Sequence, residues 1–247
     1  MALIRSSNPT FRNAVFTRVV PGAGAMTLGG TIAKSFILLV LTLASTVYTW
    51  NRVSAGAAAN IGPLFLAGVV GGLAVGFITI VRPNVAPWTS PLYAVLEGLA
   101  LGVLSSLYNA VYKGLIQEAI ALTLIVFLAV LVLYGMRVIR VTGRVRATIV
   151  NATCAVFAYY LLDLVIWVID GARMPLMVSS STASLVFSLF VAALAAANLV
   201  LDFDVIEEGI KKGAPKYLEW YAGFSLLVTL IWIYLELLRL LRKLRNR

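Results

Sequence analysis

Long apolar runs separated by short polar stretches make up most of this chain. A helix that spans a membrane needs about 20 mostly apolar residues. Seven runs meet that requirement: 30–50, 61–81, 91–111, 115–136, 148–169, 183–201 and 221–241. The pattern predicts an all-α integral membrane protein with seven transmembrane helices. A polar segment at 1–25 would precede this domain, which would occupy 26–247 and end in a basic tail.

Composition supports a membrane protein and excludes several kinds of chemistry. Of the residues, 61% are hydrophobic and only 12% are charged, whereas soluble domains carry about 25% charged residues. The absence of histidine excludes histidine metal sites and Ser–His or Cys–His nucleophile pairs. The single cysteine excludes an intramolecular disulfide. Since no motif indicates catalysis, the sequence predicts neither an enzyme nor a cofactor.

The net charge of +10 indicates how the chain lies in the membrane. Its cations cluster at the ends of apolar runs, which is typical of topology signals and lipid-headgroup contacts and not of nucleic-acid binding. The lysine and arginine counts favour a cytoplasmic N-terminus and a cytoplasmic loop at 137–147. The basic tail at 239–247 disagrees, because it follows an odd number of spans. Either the early signals dominate or a late segment is re-entrant.

Two spans carry glycines at regular spacing. Gly68, Gly72 and Gly76 lie four residues apart in the second span, and Gly98 and Gly102 in the third. Small residues at this spacing let helix backbones approach closely. We interpret them as packing positions.

Acidic residues inside the spans are the main candidates for function. A carboxylate in a span costs about 2.5–3.5 kcal/mol or more, so it normally faces a cavity or a partner. As a group these acids suggest an ion or proton route. Each has a structural alternative, such as a salt bridge from Glu236 to Arg239 or Arg242, or access of Glu118 to water. The five acids concerned are Glu97, Glu118, Asp163, Asp202 and Glu236.

The most polar stretch is `LVLDFDVIEEGIKKGAPK` at 199–216. Asp202 and Asp204 would close the sixth span, where the helix dipole disfavours carboxylates. A cation from another helix would then hold them, and Arg82 at the end of the second span is the candidate. A metal ion bound by Asp202 and Asp204 and a solvated loop are the alternatives. The acids do not match an EF-hand loop.

Several of these segments resemble one membrane-protein family. They are the seven-span order, `LYAVLEGLALG` in the third span, `LVLDFDVIEEG` at the end of the sixth, and `GAPKYLEWYAGFSLLVTLIWIYLELLRLL` across the seventh. Together they resemble the Bax-inhibitor superfamily, close to its bacterial YccA-like branch, over about residues 26–241. The resemblance implies a bundle of six helices around a central seventh, in the bacterial inner membrane.

The resemblance also implies an activity, a pH-sensitive leak of cations, mainly calcium. In the family, an aspartate closing the sixth span pairs with an aspartate in the seventh and with an arginine after the second. Asp202 and Arg82 match the first aspartate and the arginine. Thr229 stands at the second aspartate in an ungapped comparison, and Glu236 could replace it only in a shifted helix.

The sequence therefore allows three hypotheses about the function. The leading one is a pH-responsive cation leak channel that passes calcium or protons and is gated by buried carboxylates. The second, which the family also allows, is a non-conducting regulator of a membrane protease or another membrane complex. The polar N-terminal segment would then be the active part. The third is a proton-coupled transporter, which would require saturable uptake of a substrate.

Overall fold

Seven long helices form the structure, a computed structural model that describes residues 24–55, 61–138 and 141–246. Each helix is long and apolar enough to cross a membrane, which confirms the predicted seven spans. The polar segment predicted at 1–25 lies almost wholly outside the described residues. The helices are α1 (Leu28–Ser54), α2 (Ile61–Val81), α3 (Ala86–Val111), α4 (Leu115–Gly135), α5 (Gly143–Asp170), α6 (Thr182–Lys211) and α7 (Leu218–Arg245).

Several helix ends are fixed by a capping polar side chain, by a glycine or by a short turn. The side chain of Thr27 accepts a hydrogen bond of 3.0 Å from the N–H of Gly30 and so caps α1. Gly171 ends α5 at φ 67°, a left-handed conformation that glycine adopts without a steric penalty. A 3₁₀ turn at Pro83–Val85 leads into α3, and a one-turn helix at Pro175–Val178 precedes α6.

The end of α6 differs from the sequence prediction. We expected Asp202 and Asp204 to close the sixth span, but α6 continues as far as Lys211. The helix dipole acts only within the last turn, so it does not disfavour these two carboxylates. Each further acid instead pairs with a lysine four residues later, an arrangement that supports a helix. The two ion pairs are Glu207–Lys211 at 2.5 Å and Glu208–Lys212 at 2.6 Å.

The described chain divides into two compact units. Unit A contains residues 114–203 and 229–246, and unit B contains residues 24–113 and 204–228. The helices α4 and α5 therefore belong to unit A, α2 and α3 belong to unit B, and α6 and α7 each contribute to both. The central position that the resemblance implies for the seventh helix stays a prediction.

In unit B, glycines bring α3 close to α1 and α2. A Cβ atom added to Gly68 would lie 2.7 Å from the carbonyl oxygen of Leu96 and from the backbone nitrogen of Ala100. One added to Gly98 would lie 2.0 Å from the hydroxyl of Ser45. Both distances are shorter than van der Waals contact, so only glycine fits. The interpretation of these glycines as packing positions is confirmed.

In unit A, a small apolar core lies between α5, α6 and α7. Val156, Val191 and Leu194 are buried there, and Trp232 packs against them. The outer faces of α4 and α5 expose large apolar side chains, as a surface in contact with lipid requires. Examples are Leu124, Ile125 and Leu128 on α4, and Leu161, Leu164 and Val165 on α5.

Candidate functional site

Asp202 is the most enclosed acid of the candidate set. Its side chain lies in unit A with no exposed surface. The hydroxyl of Thr229 on α7 donates a hydrogen bond of 2.5 Å to its Oδ2 atom, and Thr229 is itself buried. The last two spans are therefore joined at this point by a hydrogen bond between two buried side chains.

Glu236, two turns further along α7, belongs to a different network. Its Oε1 atom accepts hydrogen bonds from the hydroxyl of Tyr160 at 2.6 Å and from the indole nitrogen of Trp232 at 3.2 Å. Its Oε2 atom forms a salt bridge of 2.7 Å with Arg239, whose Nη1 atom also donates to the Tyr160 hydroxyl at 2.6 Å. The structural alternative for Glu236, a salt bridge to Arg239, is therefore observed. The network fixes α5 to α7.

Asp163 anchors the turn that follows α5. It is 2% exposed, and its Oδ1 atom accepts a hydrogen bond of 2.8 Å from the backbone N–H of Met174. Its Oδ2 atom forms a salt bridge of 2.8 Å with Arg173. Both carboxylate oxygens are thus engaged by the chain immediately after the helix. Asp163 therefore stabilises the turn that follows α5, at one end of unit A.

Lys243 fills an oxygen cage near the end of α7. Its side chain is fully buried. Its ammonium donates to the carbonyl oxygen of Leu176 at 2.6 Å, to the hydroxyl of Ser188 at 2.8 Å and to the carbonyl oxygen of Ser184 at 3.3 Å. An ammonium has three N–H donors, so the three oxygens satisfy it without a carboxylate among them. Lys243 thereby holds the one-turn helix Pro175–Val178 against α7.

Glu118 and Glu97 differ in their surroundings. Glu118 is half exposed and forms a salt bridge of 2.6 Å with Arg245 in unit A. Glu97 is half-buried on α3 in unit B, and no hydrogen bond or ion pair joins it to another described residue. A Cβ atom added to Gly72 would lie 2.9 Å from the Oε2 atom of Glu97, so this glycine makes room for the carboxylate.

Arg82 and Asp204 complete the predicted set. Arg82 is exposed between α2 and the 3₁₀ turn. It belongs to unit B and Asp202 to unit A, and their pairing stays a prediction. Asp204 is half-buried on α6. Since residues two apart on a helix do not face each other, Asp202 and Asp204 point in different directions. No group of three or more acidic or cysteine side chains suited to a metal occurs within the described residues.

A buried acid in unit B, Glu219, was not among the predicted site residues. Its Oε1 atom accepts hydrogen bonds of 2.9 Å from both the backbone N–H and the hydroxyl of Thr27, and its Oε2 atom forms an ion pair with Lys34. The ammonium of Lys34 also lies 5.8 Å from the ring centre of Trp220. Glu219 has no exposed surface, so it fixes the start of α7 to the first turns of α1.

Two sequence signals could have led to this cluster. The seventh span was expected to begin at residue 221, but α7 begins at Leu218, which places Glu219 in its first turn. Thr27, Gly30 and Lys34 recur at helical spacing at the start of α1. A hydroxyl, a residue without a side chain and a cation on one helix face are suited to receive a carboxylate.

These features define a multi-pass α-helical membrane protein whose last two spans enclose ionisable side chains. A comparison with protein families adds that the family model described as Bax inhibitor 1 like matches residues 8–246. The chain belongs to this family. Comparisons with curated proteins and with solved structures found no match. Membership of the bacterial YccA-like branch stays a prediction.

Proposed function

We propose that this protein is a pH-responsive cation leak channel that passes calcium. The observation that carries the proposal is the enclosed carboxylate of Asp202, hydrogen-bonded to Thr229 where α6 and α7 meet. An ionisable group inside a membrane span is costly and commonly belongs to an ion or proton route. Membership of the Bax inhibitor 1 like family supports the same class of function.

Protonation of Asp202 is the proposed switch. The ionised carboxylate attracts a cation, and Arg82 is the sequence-based candidate for that cation in the closed state. When the carboxyl group takes up a proton, this attraction is lost and the closure loosens. Acid pH therefore opens the leak. The effects of Asp202→Asn and Arg82→Ala should be non-additive if both break the same interaction.

Calcium flux into liposomes tests the proposal. Purified protein is reconstituted with a calcium-sensitive dye inside the vesicles, and the initial rate of fluorescence change is compared at pH 6 and pH 8. We expect a faster rate at pH 6 for the wild type and a flat pH profile for Asp202→Asn. Glu118→Gln is the matched control, because Glu118 is half exposed and far along the sequence from the pair. A wild-type rate equal to that of empty vesicles at both pH values contradicts the channel.

A second candidate function rests on how the other acids are neutralised. Asp163, Glu219 and Glu236 are each buried and ion-paired, with Arg173, Lys34 and Arg239 respectively. Buried ion pairs of this kind are expected in a rigid scaffold rather than along an open ion route. A non-conducting regulator that binds a membrane protease or another membrane complex is consistent with this neutralisation. Its active part would be the polar segment 1–25, which lies mostly outside the described residues.

Deletion of residues 2–20 separates the two functions. A channel should keep its pH-dependent calcium flux after this deletion, because the helices that carry Asp202 and Thr229 are intact. A regulator should lose its effect on the turnover of membrane-protein substrates in cells, while its amount in the membrane is unchanged. Quantitative immunoblotting of the deletion variant provides the control for expression.

We also propose a cytoplasmic loop at 137–147 in a bacterial inner membrane. The four arginines of this loop support that orientation. A cysteine at Gly143 tests it, because an added Cβ there meets no atom within 4 Å. The native thiol is first removed by Cys154→Ala. If Gly143→Cys reacts rapidly with a membrane-impermeant reagent added outside intact cells, the loop is not cytoplasmic and the proposed orientation is wrong.

A further inference from the structure

Three buried polar residues of α7 lie on one face of the helix. Thr229, Glu236 and Lys243 follow one another at intervals of seven residues, which is two helical turns. Each is at most 3% exposed, and all three belong to unit A. At the rise of an α-helix, the first and the last lie about 21 Å apart along the axis. A line of polar groups therefore follows the buried face of α7 in unit A.

The neighbouring helices add oxygen atoms to this line, but its last member is a cation. Thr229 donates to Asp202 of α6, and Glu236 accepts from Tyr160 of α5. Carboxylate and hydroxyl oxygens of this kind attract cations in ion routes, whereas a fixed positive charge repels them. The line thus ends, at Lys243, in a group of the opposite sign from Asp202.

The oxygens around Lys243 resemble those of a dehydrated cation site. They are two backbone carbonyl oxygens and one hydroxyl oxygen, at 2.6, 3.3 and 2.8 Å from the ammonium nitrogen. In potassium channels, backbone carbonyl oxygens replace the hydration shell of the ion in the same way. A buried charge is normally paired with an opposite charge, but here the three partners are all uncharged. Because an ammonium and a potassium ion have equal charge and similar size, oxygens that hold one are suited to the other.

The cage is held in place by contacts other than those of Lys243. The hydroxyl of Ser184 donates to the carbonyl oxygen of Leu176 at 2.8 Å. The guanidinium of Arg242 donates to the carbonyl oxygen of Met177 at 3.1 Å, in the same one-turn helix. The cage oxygens should therefore keep their positions when the ammonium is removed.

We propose that this cage is a monovalent-cation site which the protein's own Lys243 occupies, so that its ammonium blocks the polar line of unit A to diffusible cations. The block rests on the proposed cation leak, because it requires a route. It adds a second control point, about 21 Å along α7 from the contact between Asp202 and Thr229. When the side chain is shortened to alanine, potassium should enter the cage and the leak should increase.

Thermal unfolding tests the cation site without any measurement of flux. Purified full-length Lys243→Ala is titrated with potassium chloride and, at the same ionic strength, with the chloride of N-methylglucamine, whose cation is too large for the cage. We expect potassium alone to raise the thermal midpoint in a saturable manner, since a ligand that binds only the folded state stabilises it. The wild type should not respond, because its ammonium occupies the site. Lys243→Met should not respond either, because its side chain fills the same space.

Potassium flux into liposomes at pH 6 tests the block. Lys243→Ala should raise the initial rate at least about tenfold over the wild type, because repulsion between unit charges at contact is strong inside a protein. Lys243→Met keeps most of the volume and should raise the rate by a smaller factor. Arg242→Gln is the matched control. It releases the carbonyl oxygen of Met177 and loosens the same one-turn helix, but it leaves the cage occupied, so its rate should equal that of the wild type.

Ser188→Ala tests the same block in a chain that keeps its lysine, and it serves if Lys243→Ala does not fold. It removes one of the three cage oxygens, which weakens the hold on the ammonium. The potassium flux should rise, by less than in Lys243→Ala. Ser90→Ala is the control, because Ser90 is a buried serine of unit B whose hydroxyl donates to the carbonyl oxygen of Trp220. Its flux should not change.

Three results overturn the proposal. The first is an equal response of Lys243→Ala to potassium and to N-methylglucamine, because the cage then does not bind a cation. The second is a wild type that conducts and a Lys243→Ala variant that conducts no faster, which contradicts the block and leaves the proposed channel intact. The third is an increase in Arg242→Gln as large as in Lys243→Ala, because loosening of the short helix would then explain both. If neither the wild type nor any variant exceeds empty vesicles, the proposed channel itself is wrong and the block is wrong with it.

Discussion

The hydroxyl of Thr229 donates a hydrogen bond of 2.5 Å to the carboxylate of Asp202, and both side chains are buried in unit A. A hydroxyl donates to the ionised carboxylate but does not itself titrate in the physiological pH range. Thr229 therefore stabilises Asp202 without adding a second acid at this point. In an ungapped comparison, the family resemblance implies a second aspartate at the position of Thr229. Replacing the threonine thus tests both the packing and the proposed switch.

The contact between Asp202 and Thr229 should contribute measurably to stability. Thr229→Val keeps the side-chain volume and removes the hydroxyl, so it leaves a buried carboxylate oxygen without this donor. We expect a loss of about 1–3 kcal/mol in the free energy of unfolding. In Asp202→Asn, the same threonine change should cost less, which gives a coupling energy of at least about 0.5 kcal/mol. Denaturation in detergent measures all four variants.

Thr123→Val is the matched control for this cycle. Thr123 is a buried threonine of α4 whose hydroxyl donates to the carbonyl oxygen of Ala119 at 2.7 Å, within its own helix. Its replacement should show no coupling to Asp202→Asn. Additive effects of the Asp202 and Thr229 changes would contradict an energetic link between the two residues.

A second carboxylate at position 229 should make stability depend on pH. In Thr229→Asp two carboxyl groups would lie within hydrogen-bond distance. Two like charges this close disfavour double ionisation, so the pair retains one proton. Stability should therefore fall as the pH rises from 5 to 9 and the shared proton is lost. The thermal midpoint of unfolding, followed over this range, measures the effect. Thr229→Asn is the control, because it has the same shape as the aspartate and adds no acid. An identical pH profile in both variants would contradict the shared proton.

The network around Glu236 should be mainly structural. Tyr160→Phe removes the hydroxyl that bridges Glu236 and Arg239, and we expect a loss of about 1–2 kcal/mol because the ion pair itself remains. Glu236→Gln leaves the guanidinium without its carboxylate and should cost about 3–5 kcal/mol. Denaturation curves give both values. If neither variant loses stability but both change the calcium flux, Glu236 belongs to the ion route instead.

The apolar pattern of the sequence was sufficient to predict the seven helices, because a span needs a long apolar run regardless of its neighbours. It was insufficient for their ends. Polar residues such as Glu207 and Lys211 continue α6 outside the apolar run through pairs four residues apart. A hydropathy criterion assigns these residues to a loop, although the ion pair between their side chains stabilises the helix.

The candidate site was only partly predictable for a related reason. The acids of the spans stood out because carboxylates are rare in apolar runs, and four of the five are buried or half-buried. The residues that contact these acids were not predicted, and neither was the buried Glu219 with its partner. Tyr160 contacts Glu236 across 76 positions of sequence, and Thr27 contacts Glu219 across 192. Such pairs depend on how the helices pack, which a single sequence does not specify.

Gly30 should be intolerant of any side chain. A Cβ atom built on this residue would lie 2.2 Å from the Oε1 atom of Glu219, which is much closer than van der Waals contact allows. Gly30→Ala should therefore displace the carboxylate from Thr27 and Lys34, although alanine is the better helix former. We expect a loss of about 1–3 kcal/mol despite the higher helix propensity. Gly29→Ala is the control, because an added Cβ there meets no atom within 4 Å, and it should be neutral or stabilising.

Lys243 should tolerate the loss of its charge better than the loss of its volume. Its ammonium donates to two backbone carbonyl oxygens and one hydroxyl oxygen, and its methylene groups are buried. Lys243→Met keeps most of that volume and removes the charge. The carbonyl oxygen of Leu176 still accepts a hydrogen bond of 2.8 Å from the hydroxyl of Ser184. The cost should therefore stay below about 1.5 kcal/mol.

Lys243→Ala should behave differently, because it leaves a cavity as well as the empty oxygen cage, and we expect a cost of about 2–5 kcal/mol. Propylammonium has the length and the charge of the missing group, since alanine keeps the Cβ atom, so it should restore the thermal midpoint in a saturable manner. Tetramethylammonium at the same ionic strength has no N–H donors and should not. If the variant cannot be purified alone, recovery of monodisperse protein in propylammonium is the corresponding measurement. Equal effects of the two salts would mean that the cage does not recognise the ammonium, and that Lys243 acts through the packing of its methylene groups alone.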